Sequence, residues 1–362
     1  MKFEKKEKNL ITFILYDSIH NSVFKSQILS PLLNMLKKNK TLKIHLISFE
    51  KTIPPKKLLT NFENIKRLNI FFLKRFPFFG KLSLYFAIFQ LKKLFKKIHS
   101  QSIICRGPLA GWITIKVLKN LNIKAIPIKI QARGLCAQEY RFATQKLKEN
   151  FIKRLLRKFI YKSLEKIEIE TFKKHTENKF NIEIESVSHA LSQYLVKNFK
   201  TDPCKIILAT KDIPQKLSNE KKKDWRNKIR KKLEIADEKF VYCYSGSTKP
   251  WQCLPQTMDY FKKEYKKNSN NFLLLLSNDK KEIVQILKTK NLPKKSYKFL
   301  SVDPKELQKY LCACDAGFLF RDKDIINWVS RPTKMLEYIA SDLKIIHNHT
   351  VSWLSDQKEN QI

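Results

Sequence analysis

Phe240-Val241-Tyr242-Cys243-Tyr244-Ser245-Gly246-Ser247-Thr248-Lys249-Pro250-Trp251-Gln252 reads as a short apolar strand that breaks on a glycine. A run of apolar and aromatic residues ending in a small, hydroxyl-rich turn is the form expected of a buried strand in a parallel sheet. The chain holds only 6 glycines, so each is expected to answer a backbone need. Three of them, Gly107, Gly134 and Gly246, directly follow strand-like runs. In open parallel sheets ligands bind outside the carboxyl ends of the strands, where a tight turn feeds a helix N-terminus. The glycines therefore mark one functional edge in each half of the chain.

Outward from this stretch the pattern repeats. Strand-like runs at residues 10–16, 42–48, 68–72, 102–105, 125–130, 182–187 and 205–209 alternate with Lys-rich helical patterns. A Lys-rich connection over 211–238 follows. A second set then covers 240–244, 271–277, 297–302, 317–320 and 344–347. The alternation predicts an α/β protein of parallel strands with crossover helices, in two successive Rossmann-like domains, 1–211 and 212–362. No repeat at solenoid periods is visible.

The 362 residues, 43% hydrophobic and 12% aromatic, suffice for two cores. The formal net charge of +40 comes from 73 Lys and Arg against 33 Asp and Glu, which raises nucleic acid or an anionic membrane as partner. The lysines are spread along the whole length, however, and no RNA-recognition, zinc-finger or helix-turn-helix signature accompanies them. The 7 cysteines show no metal-finger spacing and read as thiols of a reducing cytosol, so no metal site is expected. Asp17 ends the first apolar run too early for a signal peptide. The longest uncharged apolar stretch, residues 82–91, is about half of what a membrane span needs.

A second segment, Asn327-Trp328-Val329-Ser330-Arg331-Pro332-Thr333-Lys334-Met335-Leu336-Glu337-Tyr338-Ile339-Ala340, carries the chemistry. Pro332 suits the first position of a helix, which leaves the amides of Thr333 and Lys334 at its positive end as an anion site. Glu337 lies roughly 6–7 Å further along the axis, placed to accept hydrogen bonds from ribose hydroxyls while the helix start holds a diphosphate. The plainer reading is a capped helix with Lys and Glu solvated. In the first segment, Gly246, Ser247 and Lys249 offer a close backbone approach and a point charge for phosphate.

Together with Cys314-Asp315-Ala316-Gly317 leading to Arg321, these segments resemble the donor half of family 4 of the retaining glycosyltransferases, particularly bacterial cell-surface polysaccharide enzymes. The first half is similar in Tyr16-Asp17-Ser18, Ser26-Gln27, Cys105-Arg106-Gly107, Ala132-Arg133-Gly134-Leu135 with Glu139, and Ser186-Val187-Ser188. The resemblance covers about residues 10–350. It implies the B-type fold, with two Rossmann-like domains facing each other across a cleft. It also implies metal-independent transfer of a hexose with retention, with no cofactor beyond a UDP- or GDP-linked nucleotide-sugar as co-substrate. By carry-over, Lys249, Lys334 and Glu337 are the catalytic candidates. Gly246, Ser247, Arg321, Asn327, Arg331, Pro332 and Thr333 join Glu337 in donor binding. Ser26, Gln27, Arg106, Gly107, Arg133 and Glu139 stand on the side of a glycan or lipid-linked acceptor.

Three departures accompany the likeness. Val329 stands where many members carry a Glu that contacts the donor sugar, and Gln131 where an Asp is frequent. Only fifteen residues follow His347, so a shortened C-terminal domain is expected. Two stretches, 72–99 and 151–159, combine aromatic residues with lysines and arginines; core packing and docking on an anionic membrane surface both fit them. The reading is thus a cytoplasmic transferase of cell-surface polysaccharide synthesis, peripheral to the membrane if those stretches dock, without a nucleic-acid partner. An impaired relative that still binds nucleotide, or a basic protein that binds nucleic acid or membrane, remain as alternatives.

Overall fold

A computed structural model of the chain describes residues 9–20, 24–52, 54, 65–123, 126–145, 147, 150–173, 180–209 and 217–354. The chain divides into two compact units, 1–212 and 213–362.

In the first unit the described elements are β1 (Leu10–Leu15), a π-helical turn (Lys25–Leu29) running into α1 (Ser30–Lys38), β2 (Lys43–Glu50), β3 (Leu68–Lys74), α2 (Leu82–Phe95), β4 (Ser102–Arg106), α3 (Gly107–Asn120), β5 (Ile128–Ala132), α4 (Cys136–Thr144), α5 (Phe151–Phe172), β6 (Ile182–Ser186), α6 (His189–Phe199) and β7 (Ile206–Leu208). The strands form one parallel sheet in the order β3-β2-β1-β4-β5-β6-β7. Seven of the eight residues of β2 are buried, as a parallel strand covered on both faces requires. Gly111 lets α3 lie close on the sheet: a Cβ there would meet Thr171 Cγ2 at 2.9 Å and Ile130 at 3.2 Å.

The second unit contains α7 (Asn219–Leu233), β8 (Phe240–Ser245), α8 (Leu254–Lys267), β9 (Asn271–Leu276), α9 (Lys280–Lys290), β10 (Tyr297–Leu300), α10 (Leu307–Leu311), β11 (Ala316–Leu319), α11 (Ile325–Trp328), α12 (Thr333–Ala340) and β12 (Lys344–His347). Its sheet is also parallel, in the order β10-β9-β8-β11-β12. The Lys-rich connection expected over 211–238 contains a helix, α7, which buries Ile229 and Leu233. Arg230, fully buried, and Arg226 bind Asp315 at 2.9 and 2.8 Å. Asp315 Oδ2 also accepts from the amide of Val241 at 2.7 Å, so one carboxylate ties α7 to the amino ends of β8 and β11.

Each sheet grows outward in two directions from one central pair, β1/β4 in the first unit and β8/β11 in the second. The two chain directions diverge there, leaving a crevice beyond the strand ends, which is where open parallel sheets hold ligands.

Candidate functional site

At the crevice of the second unit, β8 ends in the buried pair Tyr244 and Ser245, and the chain turns at Gly246 with φ 135°, a backbone state open chiefly to glycine. The turn is tied on three sides. The Tyr244 hydroxyl donates to the carbonyl of Ser247 at 2.6 Å. The amide and hydroxyl of Thr248 donate to Asp279 at 2.7 and 3.0 Å. The amide of Ser245 donates to the Tyr338 hydroxyl at 3.1 Å, which fastens β8 to α12. The Tyr338 ring comes this close because Gly317 on β11 has no side chain; a Cβ there would lie 2.6 Å from ring carbons.

Helix α12 begins at Thr333, and Pro332 is its N-cap with extended backbone, φ −62° and ψ 130°. Pro332 was expected one position further in; its fixed φ suits either place, and ψ puts it outside. Lys334, in the first turn, runs inward. Its Nζ is buried without a hydrogen bond and stands 4.7 Å from the centroid of the Tyr244 ring. Burial pushes its pKa well below the usual lysine range, neighbouring Arg321 adds to this, and Cys243, Cys253 and Glu337 oppose it.

Arg321, just past β11, is also buried. Its Nη1 donates to Gln252 Oε1 at 2.5 Å and to the carbonyl of Trp251 at 3.3 Å, and burial lowers its pKa. Neither base has a carboxylate partner among the described residues. Glu337, one turn along α12, has its pKa raised by burial, partly offset by Lys334, and its carboxylate makes no hydrogen bond or ion pair among the described residues. Two buried basic groups at a helix start, with a carboxylate beside them, suit a ligand that is anionic at one end and hydroxylated at the other.

The crevice of the first unit is a pocket of about 130 Å³, lined by Tyr16 and Asp17 after β1, residues 106–109 at the start of α3, Arg133 and Gly134 after β5, and Cys136 and Glu139 of α4. Asp17 and Glu139 both open onto it. Confinement by the walls raises the pKa of Asp17 against the pull of Arg106 and Arg75. Confinement and the nearby Asp17 raise that of Glu139. A Cβ at Gly134 would meet Glu139 Oε1 at 2.2 Å, so the absence of a side chain there lets Glu139 take this position. Arg106 Nη2 donates to Gln27 at 2.5 Å, and Arg133 pairs with Glu185 at 3.8 Å. Behind the pocket, buried Glu168 accepts from the amides of Cys136 and Ala137 at 2.5 and 3.3 Å, capping α4. Burial pushes its pKa to about 7, against the lowering effect of those hydrogen bonds.

No family model matches the chain, and no curated protein matches it in sequence. Solved structures do match nearly end to end. WaaG, described as a glycosyltransferase involved in lipopolysaccharide biosynthesis, superposes with a TM-score of 0.62 and 12% identity over 96% of this chain and 84% of that one. The lipopolysaccharide outer core galactosyltransferase WaaB gives 0.61 and 10% over 94% and 81%. Sucrose-phosphate synthase from Thermosynechococcus elongatus gives 0.61 and 12% over 95% and 82%. The chain has the B-type glycosyltransferase fold.

Within this B-type fold the residues singled out from the sequence divide unevenly. Gly246, Arg321, Thr333, Lys334 and Glu337 gather around the ends of β8 and β11 and the start of α12. Ser247 lends its carbonyl to Tyr244, and Arg331 is half-buried in the turn before α12. Lys249 is exposed, its ammonium 5.1 Å from the Trp251 ring centroid. Asn327 was expected among the donor-binding residues. It is buried, its Nδ2 donates to the carbonyl of Asp322 at 2.8 Å and its carbonyl accepts from Ser330, so it braces the loop after β11. Val329 is fully buried. In the first unit Arg106, Gly107, Arg133 and Glu139 share the pocket, and Gln27 reaches it through Arg106; the side chain of Ser26 lies outside the described residues. Sequence reasoning passed over Asp17 and Glu168 as site residues. Asp17 was placed in the Tyr16-Asp17-Ser18 likeness but given no role, and Glu168 lies within a helix whose partner amides are over thirty residues away.

Proposed function

We propose that the protein is a glycosyltransferase that moves a hexose from a UDP- or GDP-linked donor to a glycan or lipid-linked acceptor in cell-surface polysaccharide synthesis. One observation carries this reading: Lys334 is buried without a hydrogen bond beside Arg321, and a diphosphate is the anion that two such groups and a helix start would share. Breaking the glycosidic bond leaves negative charge on the departing diphosphate. Preorganised cations in a water-poor site stabilise that charge, so metal-independent transfer is part of the proposal, with Lys249 meeting the outer phosphate oxygens. Glu337 takes the ribose hydroxyls. The pocket of the first unit receives the acceptor, whose attacking hydroxyl meets Asp17 or Glu139. Retention is the expected stereochemistry, although Val329 places no carboxylate at the donor sugar. The free cysteines suit the cytoplasm, where nucleotide-sugars are made.

The test is a thermal-shift screen with UDP- and GDP-sugars, followed by measurement of released nucleotide, since a ligand of the native state raises its stability. A shift with one donor and nucleotide release that Lys334→Met removes is the expected result. No shift with any donor refutes the reading. Binding without release with any acceptor makes the chain an impaired transferase instead.

A further inference from the structure

Helix α2 is apolar on both faces. Leu84, Ala87, Ile88, Leu91 and Phe95 are buried against the first unit, yet on the opposite side Leu82 is 79% and Phe89 64% exposed, with Phe86 between them. A helix apolar all round is ordinarily enclosed; this one leaves Leu82, Phe86 and Phe89 facing water. Helix α5 repeats the pattern. Its C-terminal half buries Leu164, Ile167 and Phe172, while near its start Phe151 is 67% and Ile152 74% exposed, with Leu155 and Phe159 following. The two stripes meet: a Cβ at Gly80, just ahead of α2, would lie 2.9 Å from the Phe159 ring. The joined surface is larger than the scattered apolar residues normal on a protein exterior.

The charge around it is predominantly positive. Residues 72–99 contain seven Lys or Arg and residues 151–164 five, and neither segment contains an Asp or Glu. Lys81 is held by Glu170 at 2.5 Å and Arg157 by backbone carbonyls of Thr144 and Leu147. By contrast Lys93, Lys96, Lys153, Arg154, Lys158 and Lys162 are exposed. Aromatic and aliphatic side chains ringed by cations match one environment closely, the interface of a bilayer with anionic headgroups, where rings sit at headgroup depth and lysines meet phosphate. A second copy of the same chain would bring like charges together around the apolar contact, which opposes self-association.

We infer that the surface formed by α2, the segment before it and the first half of α5 docks on an anionic lipid bilayer. This deepens the proposed function by assigning the first unit, which carries the acceptor pocket, to the membrane surface where a lipid-linked acceptor lies.

The experiment is co-sedimentation of the full chain with phosphatidylcholine vesicles and with mixed phosphatidylcholine–phosphatidylglycerol vesicles, without donor, at low and high salt. Expected is binding to the mixed vesicles only, weakened by salt. A Leu82→Ser/Phe89→Ser/Phe151→Ser variant should bind at least about tenfold more weakly, with its melting temperature held, since all three side chains already face water. Absence of binding to anionic vesicles, or binding that the variant leaves unchanged, overturns the inference. So does a concentration-dependent dimer that the variant dissolves, which would make the face a self-interface. Nucleotide release with a soluble acceptor is measured without vesicles, so failure of docking and failure of the transferase reading are separately visible.

Discussion

The ammonium nitrogen of Lys334 lies 4.7 Å from the centroid of the Tyr244 ring, inside the second unit and without a hydrogen bond. A desolvated cation–π contact is worth about 2 kcal/mol, whereas removing an ion from water costs several kcal/mol. The contact orients the lysine without compensating its burial, and an incoming anion supplies the remainder. Because the lysine's pKa is well below the usual range, anion binding should draw a proton onto it.

Lys334→Met tests this arrangement in two directions. Removal of an uncompensated buried base should hold or raise the melting temperature. Affinity for UDP or GDP should fall roughly ten- to a hundredfold, the loss expected for a charge-assisted hydrogen bond. Calorimetry in buffers of different ionisation enthalpy should show proton uptake on binding in the parent and less in the variant. A variant that melts early and binds nucleotide normally would make Lys334 a packing residue.

Glu337→Gln separates the two ends of the nucleotide. The carboxylate stands one helical turn from the helix start, so nucleoside diphosphate should bind roughly tenfold more weakly, with inorganic pyrophosphate unaffected. Hydroxyl donors favour the ionised carboxylate, and its pKa is raised by burial. Parent affinity should therefore decline on acidification at a pH above the ordinary glutamate range. Equal losses for pyrophosphate and nucleotide would place Glu337 at the phosphates instead.

Much of the fold was legible because each strand of a parallel sheet is a nearly unbroken apolar run, as in Phe272 to Leu276, buried throughout. Each run read as a strand meets one in the structure, with β5 displaced toward Ala132. Helix α7 was missed because few of its residues face the core and lysines crowd the rest. The site is legible where chemistry follows chain order, as from Thr333 to Glu337, and illegible where it depends on partners brought from elsewhere. Asn327 looks polar and available in sequence, but its amide is taken by the Asp322 carbonyl. Asp17 gains its altered titration from the pocket walls, against the pull of Arg106 and Arg75, neither of them its neighbour in sequence.

Gly317→Ala tests whether α12 and β8 are held together through Tyr338. The added Cβ would lie 2.6 Å from the Tyr338 ring, in a region where neither backbone nor ring has room to withdraw. Overpacking of this kind costs about 1–3 kcal/mol, and the melting temperature should drop accordingly. Nucleotide affinity should drop with it, because the displaced ring no longer positions its hydroxyl for the Ser245 amide. Tyr338→Phe keeps the ring and removes only the hydroxyl, with its bonds to the Ser245 amide and the Phe318 carbonyl, so it should cost about 1–3 kcal/mol without moving α12. Full stability in Gly317→Ala would show that α12 can shift freely.

Glu168 makes the first unit sensitive to pH. Its pKa in the folded protein is raised from 4.5 to about 7, so between these values the native state binds the proton more tightly than the unfolded chain. The resulting stabilisation is complete below the unfolded value and is lost as pH rises through about 7. The difference between the two values sets its limit at about 3 kcal/mol. Glu168→Gln cannot ionise and keeps an acceptor for the Cys136 amide, so denaturant melts of the variant should vary less between pH 5 and pH 8 than those of the parent, with the two curves converging at the acid end. Parallel pH profiles for parent and variant would show that Glu168 stays ionised across this range, held so by the two amides at the start of α4.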